Sequence, residues 1–288
     1  PVWAKGCEVS KMSRFFVSGL INVETTLAVG GFPIEYNPCN YPFFGVQTTV
    51  SGVGLNIAKA LTVLGNELDF VSIIGGDENA ELVRRNLLKN GIPIDGVISQ
   101  MVETAQSVIL YDPSGQRQIY TDLKDIQDQS YPVELAEPAL SACDLAVICN
   151  INFSRPLLSI AKDMGKLIAT DVHAIFNLDD DYNRDYMRHA DILFLSDESL
   201  PDSPEAVARD LMARFQPLII VIGLGAKGAL MSVREDGVMG RFPAVRTREV
   251  VNSIGAGDAL FSSFLDRYLR TGDPYRALRA AMVFASYK

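Results

Sequence analysis

Apolar residues fall along this chain in two rhythms. Short, nearly unbroken apolar runs stand at Arg14–Leu20, Leu68–Ile74, Leu145–Cys149, Lys166–Asp171, Asp191–Leu195 and Leu218–Ile222. Runs of that length, bounded by turn residues, predict strands covered on both faces. Elsewhere apolar positions recur every three or four residues, which predicts helices over Glu78–Asn90, Pro156–Met164, Asn183–His189 and Pro204–Phe215, and one more ending near Cys143. Asp77 and Ser203 stand where N-caps belong, Pro204 occupies a first helical position, and Gly91 follows a helix end. From Val133 onward the two rhythms alternate regularly. Strand, helix, strand in sequence is the signature of a doubly wound, Rossmann-like α/β core.

Two regions break that alternation. Thr25–Val29 and Val46–Val50 read as strands around Gly30–Gly45, a segment filled with Gly, Pro, Asn and aromatic residues. Thr104–Tyr111 and Gln116–Thr121 flank Asp112-Pro113-Ser114-Gly115, a hairpin with a proline turn. These strands predict a small β-sheet standing off the main domain. A third hairpin matters for what it excludes. Gly223–Gly228 reads G-x-G-x-x-G, but Ala229–Val233 alternates into the turn Arg234–Gly237 instead of opening a helix, so the dinucleotide fingerprint is rejected.

Composition narrows the class. With 48% hydrophobic and 21% charged residues over 288 positions, the chain suits one large α/β domain, residues 14–288 after a patternless tail at 1–13, with small-sheet strands from about 25–50 and 104–121. A net charge of −9 argues against binding a nucleic-acid backbone. No apolar run approaches the ~20 residues of a membrane span. Two histidines exclude a multi-histidine metal centre, and four cysteines without short paired spacing read as reduced thiols of a cytoplasmic protein.

The chemistry concentrates at Gly255-Ala256-Gly257-Asp258. Leu260, Phe261, Phe264, Leu265, Tyr268 and Leu269 follow at helical spacing. A glycine-rich turn entering a helix offers unpaired N–H groups and a partial positive charge to an anion. A carboxylate beside such a pocket is placed to take a proton from a hydroxyl attacking that anion. Taken alone, the same four residues also fit a tight turn with a favourable first-turn charge. A second glycine turn, Ser51–Gly65, puts Gly52, Gly54 and Asn56 at a helix start, which suits a hydroxyl-rich ligand or a flexible turn. Asn22 and Glu24 follow the first strand at its carboxyl end, where open α/β sheets bind ligands; a solvated charge is the plainer account of Glu24.

Together these segments resemble the ribokinase-like (PfkB) family of carbohydrate and nucleoside kinases. Asn252-Ser253-Ile254-Gly255-Ala256-Gly257-Asp258 is similar to that family's D-T-x-G-A-G-D signature. Ser51–Ala58 resembles its G-G-x-x-x-N-x-A turn, and Gly19–Glu24 its early G-x-x-N-x-D segment. The resemblance spans roughly Arg14 to Lys288. It implies a ribokinase-like core with a β-sheet lid and transfer of the ATP γ-phosphoryl to a substrate hydroxyl. Asp258 would be the base and Gly255, Ala256 and Gly257 the anion hole. Asn22, Glu24, Gly52, Gly54 and Asn56 would hold a sugar or nucleoside. Ser196, Leu224, Gly225, Gly228 and Asn252 would lie along the nucleotide, and Mg2+ would arrive with ATP.

The departures shape the alternatives. Asn252 stands where the family carries Asp near a monovalent-cation site, so that cation is doubtful. Glu24 replaces an Asp, and Ser196-Asp197-Glu198-Ser199 replaces N-x-x-E, leaving metal ligands unassigned. Three functions remain open at this point: a sugar kinase, a nucleoside kinase, or a non-catalytic binder on the same fold. A homodimer through the lid is a further expectation, since an isolated small sheet is marginal in water.

Overall fold

The computed structural model describes residues 12–245, 247 and 255–287. Its strands, in chain order, are β1 (Arg14–Ser18), β2 (Asn22–Ala28), β3 (Val46–Ser51), β4 (Glu67–Ile74), β5 (Val97–Ser99), β6 (Gln106–Tyr111), β7 (Arg117–Asp122), β8 (Leu145–Ile148), β9 (Leu167–Asp171), β10 (Ile192–Ser196), β11 (Ile219–Gly223), β12 (Ala229–Val233) and β13 (Met239–Phe242). The helices are α1 (Val53–Val63), α2 (Glu78–Lys89), α3 (Val133–Ala142), α4 (Arg155–Asp163), α5 (Arg184–His189), α6 (Pro204–Phe215), α7 (Ala256–Thr271) and α8 (Pro274–Ala285).

Nine strands make the main sheet, in the order β13-β12-β11-β10-β9-β8-β1-β4-β5. From β11 to β5 neighbours run parallel; β12 and β13 are antiparallel additions. The chain leaves β1 toward β4 on one side and returns to β8 on the other, so the order in which strands are added reverses between β1 and β8. The pleat sends Phe15 to one face and Phe16 to the other. Phe15 joins Leu55, Phe194, Phe261 and Phe264 beneath α1, α2, α7 and α8. Phe16 joins Ile148, Tyr186, Leu193 and Leu211 beneath α3 to α6. Phe194 holds α7 in place, with ring centroids 4.8 Å from Phe261 and 5.2 Å from Phe264.

The second sheet has four strands in the order β3-β2-β6-β7, with β2 and β6 parallel and the outer pairs antiparallel. It is tied to the core through Asp77. That carboxylate caps α2 by accepting from Ala80 N (3.0 Å), and it also accepts from Thr104 N (3.1 Å) and Thr104 Oγ1 (2.6 Å), just before β6.

One expectation needs correcting. Asn22 and Glu24 do not trail β1; a turn at Gly19–Ile21 separates them, and they begin β2 in the small sheet. The three-residue β5 is too short to have shown a pattern. The final helix ends at Ala285, and Lys288 lies outside the described residues, as do the tail at 1–11 and Asn252, Ser253 and Ile254.

Candidate active site

Parallel strands bring their carboxyl ends to one edge of the sheet. Gly19 follows β1, Cys149 follows β8, Asp171 ends β9, Ser196 ends β10 and Gly223 ends β11. α1 closes on this edge at the reversal point. A Cβ on Gly19 would lie 2.6 Å from Cys149 Sγ and 2.7 Å from Gly54 Cα, and one on Gly54 would lie 2.5 Å from the Gly19 carbonyl carbon. Gly52 adopts φ 110°, and its Cβ would meet Leu20 O at 2.5 Å. The sequence suggests that these glycines admit a ligand. The structure adds a second reason: Gly52 and Gly54 have no room for a side chain because α1 seats directly against the backbone that follows β1.

This contact sets the position of Asn56, one turn into α1. Its Nδ2 donates to Asp258 Oδ2 at 2.8 Å, joining residues 202 positions apart. Asp258 lies in the first turn of α7, which starts from Gly255 in the left-handed region (φ 74°) with no side chain capping it. Ala259 N bonds back to Gly255 O at 3.0 Å, so the amides before it have no intrahelical acceptor. Beside Gly257 an added Cβ would meet no described atom within 4 Å. Uncapped N–H groups, a missing side chain and open space are the requirements of a backbone anion site.

Two carboxylates share this neighbourhood. Burial raises the Cys149 thiol pKa, and the negative charges of Asp258 and then Asp171 raise it further. Both carboxylates thus act on one buried sulfur at the end of β8. Asp171 was not singled out from the sequence; its place as the last residue of a parallel strand was the available signal. Its Oδ1 accepts from His173 N at 2.8 Å, and His173, at φ 58°, passes its carbonyl to Ser196 N at 2.7 Å. Ser196 Oγ accepts from Glu198 N at 3.2 Å, and Asp197 N donates to Gly223 O at 2.9 Å. That last bond joins the β10 end to the turn Leu224–Gly228. The turn is one 3-10 turn closed by Leu224 N to Gly228 O at 2.8 Å, with Leu224 buried and Gly225 at φ 55°. Gly228, at φ 105°, has no room for a side chain because Phe242 O and Ala244 N occupy its place.

The small sheet supplies the other wall. Asn22 is 4% exposed; its Nδ2 donates to Ser107 Oγ at 2.9 Å, while its buried Oδ1 has no hydrogen-bond partner among the described residues. Burial raises the Glu24 pKa, against a hydrogen bond from Ser51 and the positive charges of Arg117 and Lys59. Lys59 and Asn56, three residues apart, share one face of α1. Lys59 Nζ donates to Val50 O at 3.0 Å. This helix face thus meets Asp258 through Asn56 and the backbone of β3 through Lys59. Among the described residues no group of three or more His, Cys, Asp or Glu side chains is arranged to hold a metal ion, and no described helix is long and apolar enough to cross a membrane.

Comparison with known proteins agrees with this geometry. The family described as pfkB family carbohydrate kinase matches residues 12–288. An acarbose 7(IV)-phosphotransferase from an Actinoplanes species is 27% identical over 284 residues, covering 97% of this chain and 93% of that protein. An ATP-dependent ribose-1-phosphate kinase from Halopiger xanaduensis is 25% identical over 276 residues, covering 94% and 90%. Among solved structures, a microbiome-derived acarbose kinase superposes with a TM-score of 0.87 at 26% identity, covering 96% of this chain and 92% of that one. A glycine-led helix start without a side-chain cap, a carboxylate in its first turn, and a family match across nearly the whole chain lead to one conclusion: this chain belongs to the PfkB family of carbohydrate kinases and is an ATP-dependent phosphotransferase acting on a hydroxyl of a sugar or sugar-like substrate.

Proposed function

We propose that Asp258 accepts the proton of the attacking sugar hydroxyl while the first turn of α7, at Gly255, Ala256 and Gly257, holds the transferring γ-phosphoryl. The bond from Asn56 Nδ2 to Asp258 Oδ2 carries this reading. It fixes one carboxylate oxygen and leaves the carboxylate oriented by a neutral donor. The sugar oxygen bonds to phosphorus, the bond from phosphorus to the ADP oxygen breaks, and the hydroxyl proton passes to Asp258. Such transfer is mostly positioning and charge stabilisation, and fixed backbone donors supply both without rearranging.

Asn22, Glu24 and Ser51 hold substrate hydroxyls in this reading. Glu24 offers a charged acceptor, and Asn22 Oδ1 is a buried acceptor unpaired among the described residues. Ser196 and the Leu224–Gly228 turn lie along the nucleotide. Mg2+ keeps several waters and binds through one or two carboxylates plus substrate phosphates; Asp171, at the carboxyl end of β9 on the same sheet edge, is a carboxylate suited to that role, and the ion would neutralise charge on the phosphates. Asn252 lies outside the described residues, and its neutral side chain leads us to propose weak or absent potassium activation. Free thiols at Cys39, Cys143 and Cys149 suit a cytoplasmic, reducing setting.

The substrate class follows the relatives, whose names refer to acarbose and to ribose-1-phosphate. We place this chain with the sugar kinases rather than the nucleoside kinases. The test is phosphate transfer from ATP with magnesium to a panel of sugars and nucleosides, run with wild type and Asp258→Asn. Transfer to sugars that the variant loses, with nucleotide binding retained, supports the reading; equal turnover by the variant overturns it.

A further inference from the structure

α1 and α7 lie side by side and point the same way. Asn56 meets Asp258 near their starts, and Asn66 meets Asp266 near their far ends. The first contact belongs to the active site. The second lies about 12 Å further along α7, eight residues at ~1.5 Å each.

The far contact is built from the end of α1. Gly65, in the left-handed region at φ 81°, donates its N–H to Thr62 O at 3.0 Å, and Asn66 N donates to Leu61 O at 3.2 Å. That pair of bonds closes a helix through a left-handed glycine. It sets Asn66 so that its Nδ2 returns to Leu61 O at 3.2 Å and reaches Asp266 Oδ1 at 2.9 Å. Asp266 is 5% exposed, and Arg270 Nε donates to the same carboxylate oxygen at 2.7 Å. Arg270 Nη2 also donates to Leu64 O and to Asn66 Oδ1, both at 3.2 Å. Leu64 O is one of the terminal carbonyls that a helix leaves without an internal partner.

On α7 the polar groups form one row. Asp258, Ser262, Asp266 and Arg270 are spaced by four, the spacing of neighbours on a helix surface. Ser262 is fully buried, and its Oγ donates to Asp258 O at 2.6 Å. A buried carboxylate is costly unless it is paired and hydrogen-bonded, and apolar side chains would join two helices without that cost. Hydrogen bonds supply what apolar contact lacks, which is direction. Phe194 holds α7 to the sheet through Phe261 and Phe264, but apolar attraction is non-directional and defines position along the helix axis poorly. The bonds from Asn66 and Arg270 define it.

We propose that Asn66, Asp266 and Arg270 are positioning residues for phosphoryl transfer. They lock the axial register of α7 on α1, and so set where Asp258 stands against Asn56 and the acceptor hydroxyl. Their distance from Asp258 keeps them off the reacting atoms. The inference rests on Asp258 being the base.

The experiment measures transfer from ATP with magnesium to the sugar that wild type phosphorylates fastest. Arg270→Lys keeps the charge but loses the planar fork that reaches three acceptors. A misplacement of about 1 Å far from the chemistry costs about a hundredfold. kcat should therefore fall about tenfold to a hundredfold, with both KM values within about twofold of wild type, because what is lost is felt in the transition state. On the Asp258→Asn background the same change should cost about threefold or less, since residues acting through one group are not additive. A residue that served only to hold the fold together would show equal losses on both backgrounds. Assays run well below each melting temperature, with the folded fraction measured on the same samples. If Arg270→Lys does not fold, Asn66→Ala, at a half-buried position, should show the same split. Wild-type kcat in the folded variant, or equal fold-losses on both backgrounds, overturns this inference and leaves the kinase reading standing. Full turnover by Asp258→Asn alone overturns the base and this inference with it, as does transfer to no sugar by wild type.

Discussion

The two sheets of this enzyme are built from opposite kinds of strand. β1, β8 and β10 are apolar on both sides, because helices cover both faces of the main sheet. β7 is exposed along its whole length, and β3 along most of it. In the main sheet, position is fixed by contact so close that Gly19 and Gly54 cannot carry a methyl group. In the small sheet, position is fixed by a few hydrogen bonds at its base, while much of the rest is exposed. Groups that react must be held within fractions of an ångström, whereas groups that choose a substrate need reach and hydrogen-bonding variety. The division teaches that substitutions in the core should act on turnover and stability, and substitutions in the lid on affinity.

The largest effect should come from the core. Asp258→Asn nearly preserves shape but cannot take a proton. General-base losses run about 10²–10⁴-fold, so kcat should fall by at least that range. Removing a negative charge beside the phosphates should leave ATP affinity equal or tighter, and thermal melting should change little. Steady-state transfer, nucleotide titration and melting on one preparation check all three.

Next in size is Gly54→Ala. Its Cβ would sit 2.5 Å from the Gly19 carbonyl carbon and 2.6 Å from Gly19 Cα, both backbone atoms that cannot rotate away. Overpacking costs about 1–3 kcal/mol, and more where nothing can shift. Melting should fall by several degrees. Turnover should fall too, because α1 carries Asn56 to Asp258. An unchanged melting temperature would show that α1 can slide on β1 and that the rigid contact is not what places the site.

These two positions also show where the sequence was legible. The glycine turn into α7 and its carboxylate stood out because the pattern is local: four residues and the helix after them. The buried strands stood out for the same reason, since covering on both faces leaves an unbroken apolar run. Gly54 was visible as a glycine, but its reason was not, because the atoms that forbid a side chain belong to Gly19. Asn56 read as a ligand contact because its partner is 202 residues away. Asp171 was passed over since a lone Asp ending a strand carries no motif. The start of β2 at Asn22 was hidden because Gly19–Ile21 turns within an apolar stretch.

The lid should answer more gently, and Glu24→Gln sets its two roles against each other. Burial raises the Glu24 pKa above its ordinary 4.5, with the Ser51 hydrogen bond and the charges of Arg117 and Lys59 offsetting part of that rise. A raised carboxyl pKa means that the folded state holds the proton more tightly than the unfolded chain. The stability this adds is complete below about pH 4.5 and is lost as pH rises through the folded value. At pH 7 the ionised carboxylate therefore costs stability. Glu24→Gln should melt higher than wild type at pH 7, and the gap should close as pH falls below about 4.5. The same change removes a charged acceptor, worth about 1.5–3 kcal/mol, so the apparent substrate constant should rise roughly tenfold to a hundredfold. A variant that binds substrate as well as wild type removes Glu24 from the pocket.

The smallest effect on chemistry is expected from the outer face of the lid. Val108 and Tyr120 are direct cross-strand partners, and with Val46 they leave an apolar stripe 41–56% exposed. Such a stripe on a small sheet is covered most simply by the same stripe on a second copy, through a two-fold contact in which each residue is used twice. Wild type should therefore scatter light as a dimer at micromolar concentration. Val108→Lys brings two like charges into that contact, one from each copy, so the variant should be monomeric. Its melting temperature should change little, since an exposed substitution of this kind is worth within about 0.5 kcal/mol inside one chain. Turnover should stay close to wild type, because Val108 points away from the face that carries Glu24. A wild-type monomer with the small sheet still ordered would sink the dimer. A monomeric variant that also loses turnover would show that the partner copy supports the catalytic end, and the separation between positioning core and selecting lid would then be incomplete.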